Sequence, residues 1–236
     1  MRVLLVEDHK ATAETTAMML STCSYVCDTA ALGEDGLEIA KLYDYDIILL
    51  DLMLPDMDGF EVLRQLRMAK VQTPVLILSA IAEVGSRIKG FGHGADGYLV
   101  KPVDRRELLA RIQSIVRRAK GHCDSVIQIG KLGIDIGRRM AMVDGVPLHF
   151  TDKEYAILEL LALRRGSVQS KDVVMNHLYG GAEEPGYKVI DVFVCKLRRK
   201  LIAACGEDYI ETHWGRGYAL KVPGEKDDAG REQAAA

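Results

Sequence analysis

The chain lacks any CxxC pair, Cys/His cluster, long apolar run or strong net charge, and each gap removes a class of protein. Its five cysteines are odd in number and scattered, which argues against a disulfide framework or a zinc site and for reduced thiols in a cytoplasmic setting. Cys23 and Cys27 are expected to serve packing. The opening MRVLLVEDH sets one basic residue before a short apolar run that ends in acids, so it reads as neither a signal peptide nor a membrane span. A net charge of -3 is too small to identify a partner, so only local charge is informative. What the chain does have is length and aliphatic content enough for two cores, with 236 residues exceeding one typical domain.

Over residues 1–119 short continuous apolar runs alternate with helical patterns, the signature of a parallel sheet covered on both faces. The runs Val3 to Val6, Tyr25 to Thr29, Ile47 to Leu50, Val75 to Leu78 and Tyr98 to Val100 are predicted strands. Helices are predicted near 10–20, 34–43, 59–68, 83–93 and 105–119. The last carries Leu108, Ile112 and Ile115 as a stripe that would cover the sheet. Right-handed crossovers and the doubly wound order 2-1-3-4-5 would bring strands 1 and 3 together at the switch point. Chemistry-bearing residues stand at the strand exits: Glu7 and Asp8, Asp51, Ser79 and Lys101. An acid pair, an acid, a hydroxyl and an amine in one crevice form a phosphate-accepting site. Taken singly, each has a plainer explanation. A strand-end Asp forms turns, and Glu7-Asp8 could cap the next helix. Asp56 and Asp58 are expected to form the turn and cap the helix after it, and His9 to lie at the surface.

The strings VLLVED, LLDLMLPDMDG, LILSA and GADGYLVKP resemble the receiver domain of two-component response regulators, over the whole first domain. The resemblance implies that Asp51 is the phosphoacceptor and that Glu7, Asp8, Asp51 and Met53 hold Mg²⁺, Asp8 directly and Glu7 through water. It also implies that Ser79 and Lys101 bind phosphoryl oxygens and that Tyr98 turns inward as the Ser79 loop closes. A carboxylate attacking a charged phosphoryl group needs such neutralisation, and Lys101-Pro102 would suit a cis peptide bond. The chemistry would be limited to accepting a phosphoryl group and slowly losing it to water, so the protein is expected to be a switch and not an enzyme.

The pattern breaks at RRAKGHCDS, and residues 120–125 read as a linker. Residues 126–222 form a second domain: strands near 126–129, 132–135, 139–143 and 146–149, with Asp144-Gly145 as a hairpin turn, then three helices and a hairpin. Thr151 and Glu154 are spaced as a capping box, opening a helix with Tyr155, Leu158, Leu161 and Ala162 toward the core. Helices are expected from Ser170 to Leu178 and from Tyr187 to Ala203, and the hairpin from Tyr209 to Val222. Residues 188–200 hold five basic residues (Lys188, Lys196, Arg198, Arg199, Lys200) against one acid, Asp191, a local charge of 5 − 1 = +4. Ile190, Val194, Leu197 and Leu201 form the buried side of that helix, with Lys188, Val192, Cys195 and Arg199 opposite and Lys196 beside them. A core-anchored basic helix suits the DNA major groove; standing alone it would read as a solvated face.

Sheet, three helices and a glycine-framed hairpin with Arg216 at its tip resemble the winged-helix output domain of the OmpR/PhoB family. The fold class expected is therefore a doubly wound α/β receiver followed by a winged-helix (α+β) DNA-binding domain. The resemblance implies Lys188, Val192, Cys195, Lys196, Arg198, Arg199 and Arg216 as DNA contacts, with Arg216 in the minor groove. Within the family, LYDYDIILLDLMLPDMDG, NHLYGG, KVIDVFVCKLRRKL and HWGRGY are similar to the alphaproteobacterial cell-cycle regulators. Gly97 and Val103 depart from the usual acid and Phe. Loss of that acid leaves Arg87, Asp96 and Arg111 as the dimer face. The partners implied are double-stranded DNA, a histidine kinase or phosphotransfer protein, a second copy of the chain, and RNA polymerase facing Tyr179 to Gly186.

An aspartyl-phosphate hydrolase would also place an Asp at a strand exit, but it needs a second Asp two residues on, where this chain has Met53. An architectural DNA-binding protein with a relic receiver is disfavoured by the complete acidic site. Beyond Val222 the charged, small-residue tail is expected to be disordered. Its Gln233-Ala234-Ala235-Ala236 end resembles those gripped by ATP-dependent proteases, or is a neutral tail.

Overall fold

The computed structural model describes residues 1–180 and 185–223. The tail from residue 224 and half of the segment expected to face RNA polymerase, residues 181–184, therefore lie outside the described residues. Five strands, β1 (Arg2–Val6), β2 (Val26–Ala30), β3 (Ile47–Asp51), β4 (Val75–Ser79) and β5 (Gly97–Val100), pair in parallel in the order β2-β1-β3-β4-β5. The interior strands β1, β3 and β4 are buried at every position, which is why they are apolar without alternation. Four helices fill the crossovers, α1 (Lys10–Ser21), α2 (Gly33–Leu42), α3 (Gly59–Met68) and α4 (Val84–Gly92), and α5 (Arg105–Ala119) follows the last strand. The α5 stripe of Leu108, Ile112, Ile115 and Val116 is fully sequestered, joining Val3, Leu5, Leu49 and Leu76 in one core.

Local signals set the helix starts. Asp58 caps α3 by accepting from the Phe60 amide, and Asp104 caps α5 through two amides. Two expectations change here. Asp56 caps α2 and not the helix after it, accepting from the Gly33 and Glu34 amides at 2.9 Å each. His9 is exposed as expected but is itself the N-cap of α1, which leaves Glu7 and Asp8 free of capping duty.

After residues 120–125, which hold no helix or strand, an antiparallel sheet follows in the order β6 (Val126–Ile129), β7 (Leu132–Asp135), β8 (Met140–Val143), β9 (Val146–Leu148). Asp144 and Gly145 both have positive φ, as a two-residue hairpin loop between right-twisted strands requires. Helices α6 (Asp152–Leu163), α7 (Lys171–Tyr179) and α8 (Lys188–Cys205) precede the hairpin β10 (Ile210–His213) and β11 (Gly217–Leu220). Thr151 and Glu154 form the reciprocal capping box at α6. α6 is buried at ten of twelve positions, so it is the central post of the domain, with α7 and α8 packed against it.

The two halves meet at the amino-terminal edge of the first sheet, and one apolar cluster runs through both. The joint is also ionic. Asp46, just before β3, accepts from the Arg2 amide at 2.8 Å and faces His177 Nδ1 at 3.4 Å and Arg164 at 3.6 Å. Glu159, with no exposed side-chain area, rests 3.6 Å from Arg139 and 3.8 Å from the Met1 amino group. The Arg139 guanidinium spans Tyr155 and Tyr25, at 4.7 and 5.6 Å from their ring centres.

Candidate functional site

The carboxyl ends of β1, β3, β4 and β5 deliver four elements of one crevice. Glu7 and Asp8 follow β1, Asp51 and Ser79 end β3 and β4, and Lys101 follows β5. Carboxylate oxygens of Glu7, Asp8 and Asp51 lie within 4.8 Å of one another. Glu7 and Asp51 are buried while Asp8 is exposed, so the cluster is walled below and open above. Lys101 Nζ donates to Glu7 Oε2 at 2.6 Å and to Asp51 Oδ2 at 2.5 Å. Burial alone would lower the Lys101 pKa, but these bonds to Asp51 and Glu7 hold it above the ordinary lysine value. Burial pushes the Glu7 carboxyl up, with Lys101 opposing. The peptide between Lys101 and Pro102 is cis.

The loop after β3 is held close. Asp51 Oδ1 accepts from the Met53 amide at 3.1 Å, and Met53 bridges to Asp58 across the turn. A Cβ on Gly59 would lie 2.3 Å from the Asp51 carbonyl oxygen, so only glycine lets α3 start directly beneath the phosphoacceptor candidate. Ser79 is fully buried and its Oγ accepts from the Ile81 amide at 3.2 Å. Tyr98 donates to the Ile81 carbonyl at 2.7 Å with Arg87 over its ring, so Ser79 and Tyr98 meet at one loop.

Three hard carboxylate donors around a water-accessible opening are the donor set that Mg²⁺ takes, since it binds through one or two carboxylates and keeps several waters. Of the residues expected from the sequence to form a dimer face, Asp96 accepts from the Val75 amide at 2.8 Å and pairs with Arg67 at 3.3 Å, and Arg111 pairs with Glu107 at 3.8 Å.

In the second half, Ile190, Val194, Leu197 and Leu201 are buried against α6, each contributing about 1.5 to 3 kcal/mol. Lys188, Val192, Cys195, Lys196, Arg199 and Arg216 are exposed. Arg198 is placed differently: it pairs with Asp208 at 2.9 Å and donates to the Ile210 carbonyl and Thr212 Oγ1 at 2.7 and 3.0 Å. It binds the hairpin, whereas the sequence suggested that it faces DNA. Trp214, 91% exposed at the hairpin tip, was not singled out in the sequence. A large apolar ring left in water beside Arg216 is the signal that could have found it.

Comparison with known proteins agrees with both halves. The response regulator receiver domain model matches residues 3–113, and the model for the C-terminal domain of transcriptional regulatory proteins matches residues 145–220. A receiver joined to such a domain defines a DNA-binding two-component response regulator. The cell cycle response regulators CtrA of Brucella anthropi and Brucella ovis are each 54% identical over 224 residues, 94% of this chain and 97% of theirs. The chain belongs to this CtrA family of OmpR/PhoB-type response regulators. Among solved structures, the OmpR/PhoB homologue DrrB of Thermotoga maritima is 28% identical, covering 93% of this chain and 98% of its own, with a TM-score of 0.46. The receiver domain of the Pseudomonas aeruginosa sensor histidine kinase PA1611, described with a magnesium ion in its active-site cleft, is 32% identical over 49% of this chain and 96% of its own, with a TM-score of 0.46. Among the described residues no helix is long and apolar enough to cross a membrane.

Proposed function

We propose that Asp51 accepts a phosphoryl group from a histidine kinase or phosphotransfer protein. Phosphorylation then strengthens pairing of two copies through the face that includes Arg87, Asp96 and Arg111. The observation that carries this reading is the convergence of three carboxylates and one ammonium at the ends of separate strands. An Asp51 oxygen attacks phosphorus, the phosphorus–nitrogen bond of the donor phosphohistidine breaks, and an acyl phosphate forms on the side chain. Mg²⁺ held by Glu7, Asp8, Asp51 and Met53 would offset the charge of the incoming phosphoryl group. Lys101, already in contact with Asp51, is the fixed positive charge that binds a phosphoryl oxygen, and Ser79 binds another. The Ser79 loop then draws in, and Tyr98, bonded to that loop through Ile81, carries the movement to the surface. Water discharges the acyl phosphate at the same site, so the only catalysis is gain and loss of the protein's own phosphate.

At the DNA, α8 occupies the major groove with Lys188, Val192, Cys195, Lys196 and Arg199 outward, and Arg216 enters the minor groove. Two copies bind half-sites about one helical turn apart. The site of action is the cytoplasm, where five free thiols stay reduced. Tyr179 to Gly186 would meet RNA polymerase, and the C-terminal alanines would be the grip for an ATP-dependent protease.

The test is footprinting of the full chain with and without a small phosphodonor and Mg²⁺. Phosphodonor should lower the concentration needed for protection in the wild type and leave Asp51→Asn unchanged; equal protection with and without donor in the wild type overturns the switch. Lys196→Ala or Arg199→Ala should either relax discrimination at one base pair by about 1 to 3 kcal/mol, for a base contact, or lower the salt slope by about one unit, for a phosphate contact.

A further inference from the structure

Asp191 is the single acid in the basic run of α8, and its charge is of the wrong sign for a polyanion. Its carboxylate is where three elements meet. Lys171 Nζ, from the first residue of α7, lies 2.6 Å from Oδ1 and 2.8 Å from Oδ2. Oδ1 also takes the phenol hydrogen of Tyr218 on β11. Burial and the bond to Asp191 push the Tyr218 phenol up to about 12, so it remains a donor at neutral pH. Lys171 cancels the carboxylate's charge locally, leaving the bonding geometry without net repulsion of phosphate.

The hairpin is held at two further points. Arg198 lies seven residues along α8, about 10 Å at the helical rise, and grips β10 through the Ile210 carbonyl and Thr212. Gln169 and Tyr218 exchange both backbone hydrogen bonds, at 2.7 and 2.9 Å. Gly217 makes that approach possible: its φ is +136°, and a Cβ there would sit 1.9 Å from the Gln169 carbonyl oxygen. Only the tip projects beyond these clamps, where Trp214, Gly215 and Arg216 are exposed. Between tip and helix lies a cleft of about 670 Å³ whose walls include Asp191, Cys195, Arg198, Trp214 and Arg216.

We propose that Asp191 is a positioning residue for DNA recognition: it locks the hairpin to α8 and α7, and so fixes where Arg216 enters the minor groove relative to the major-groove contacts of α8. Arg198 is the second lock, acting on β10. This rests on the DNA interface proposed above. Helix and hairpin then read two grooves in fixed register, because a displacement at the clamp is carried directly to the tip.

A double-mutant cycle with full-length protein tests this, using a duplex selected by the wild-type chain from a random-sequence pool. Asp191→Ala and Arg216→Ala should each weaken binding about tenfold, a change of about 1.4 kcal/mol. The double variant should bind no worse than Arg216→Ala alone, since a residue that acts through Arg216 has nothing left to position. Asp191→Ala should also flatten discrimination at the minor-groove base pairs while leaving that at the major-groove pairs intact. Tyr218→Phe removes one hydrogen bond without a charge or a cavity and should give the same pattern at smaller amplitude, which keeps the test decisive if Asp191→Ala fails to fold. If Asp191→Ala weakens binding by the same factor in both backgrounds, the positioning role is overturned and the DNA interface stands. If Arg216→Ala has no effect, the assignment of the hairpin tip to DNA falls, and the positioning role falls with it.

Discussion

Strand β3 runs between two carboxylates. Asp51, at its exit, and Asp46, just before its entry, are both nearly buried, and both are held by cations. Their settings differ in what stands beside them. Next to Asp51 are the exposed Asp8 and a single Lys101 whose side chain is 19% exposed, so the ion pair borders water. Next to Asp46 are His177, Arg164 and the Arg2 amide, which leave its side chain 4% exposed at the edge of a cavity of about 230 Å³. His177, Arg164 and Glu159 belong to the second half, so the entry-side polar groups join the two domains. The same residue type borders an open crevice at one end of the strand and sits in the domain joint at the other, where breaking a buried pair leaves a charge with no partner.

The sharpest way to separate the two ends is functional. Asp51→Asn should abolish incorporation of label from a small phosphodonor while leaving the unfolding transition near that of the wild type; labelling at the wild-type rate would remove Asp51 from the phosphoacceptor role. Asp46→Ala should do the reverse, keeping phosphate incorporation but costing about 3 to 5 kcal/mol of stability in urea unfolding, as expected for removal of one partner from a buried ionic group. A loss below about 1 kcal/mol would show the joint to be as solvated as the crevice.

Acid should find the entry end. Burial, then the positive charge of the Met1 amino group, lowers the His177 pKa to about 4, against the pull of Asp46. Below pH 6.5 the unfolded chain takes up a proton that the folded chain refuses, so stability falls as pH drops toward about 4, by roughly 3 kcal/mol in all. Glu159 works in the opposite sense, because burial raises its pKa and its cost is relieved as acid neutralises it. Comparing the wild type with His177→Gln isolates the histidine, whose contribution to the slope should vanish in the variant. The smallest effect belongs to the exit end: Mg²⁺ at about ten times its dissociation constant should stabilise the wild type by about 1.4 kcal/mol. Asp46→Ala should retain that gain and Asp51→Asn should lose most of it, read as midpoint shifts with and without the ion.

The exit end was legible in the sequence and the entry end was not, for a physical reason. Strand exits in a doubly wound sheet converge by topology, so an acid, a hydroxyl or an amine after each apolar run can be assembled into a crevice before any coordinates exist. Likewise Thr151 and Glu154 announce their bonds because the partners are three residues apart. Asp46, His177, Glu159 and Arg139 meet across the joint of two domains, and no local pattern encodes how domains pack. The same limit explains Asp56, whose capped amides lie more than twenty residues upstream. It explains Arg198 too, which helical spacing groups with the exposed basic residues but which the hairpin claims.

The joint has a consequence for the order of events. It occupies the amino-terminal edge of the receiver sheet together with α6 and α7, so the Asp51 crevice opens to solvent while Lys196, Arg199 and Arg216 are also exposed. Neither surface has to be vacated for the other to be used. On the proposed role of Asp51, a copy already seated on its promoter can be charged where it stands, and a charged copy can arrive from solution; the two routes form a closed cycle with one end state. The speed of the response is then set by the slower of kinase encounter and promoter search, with no obligatory sequence imposed by the fold.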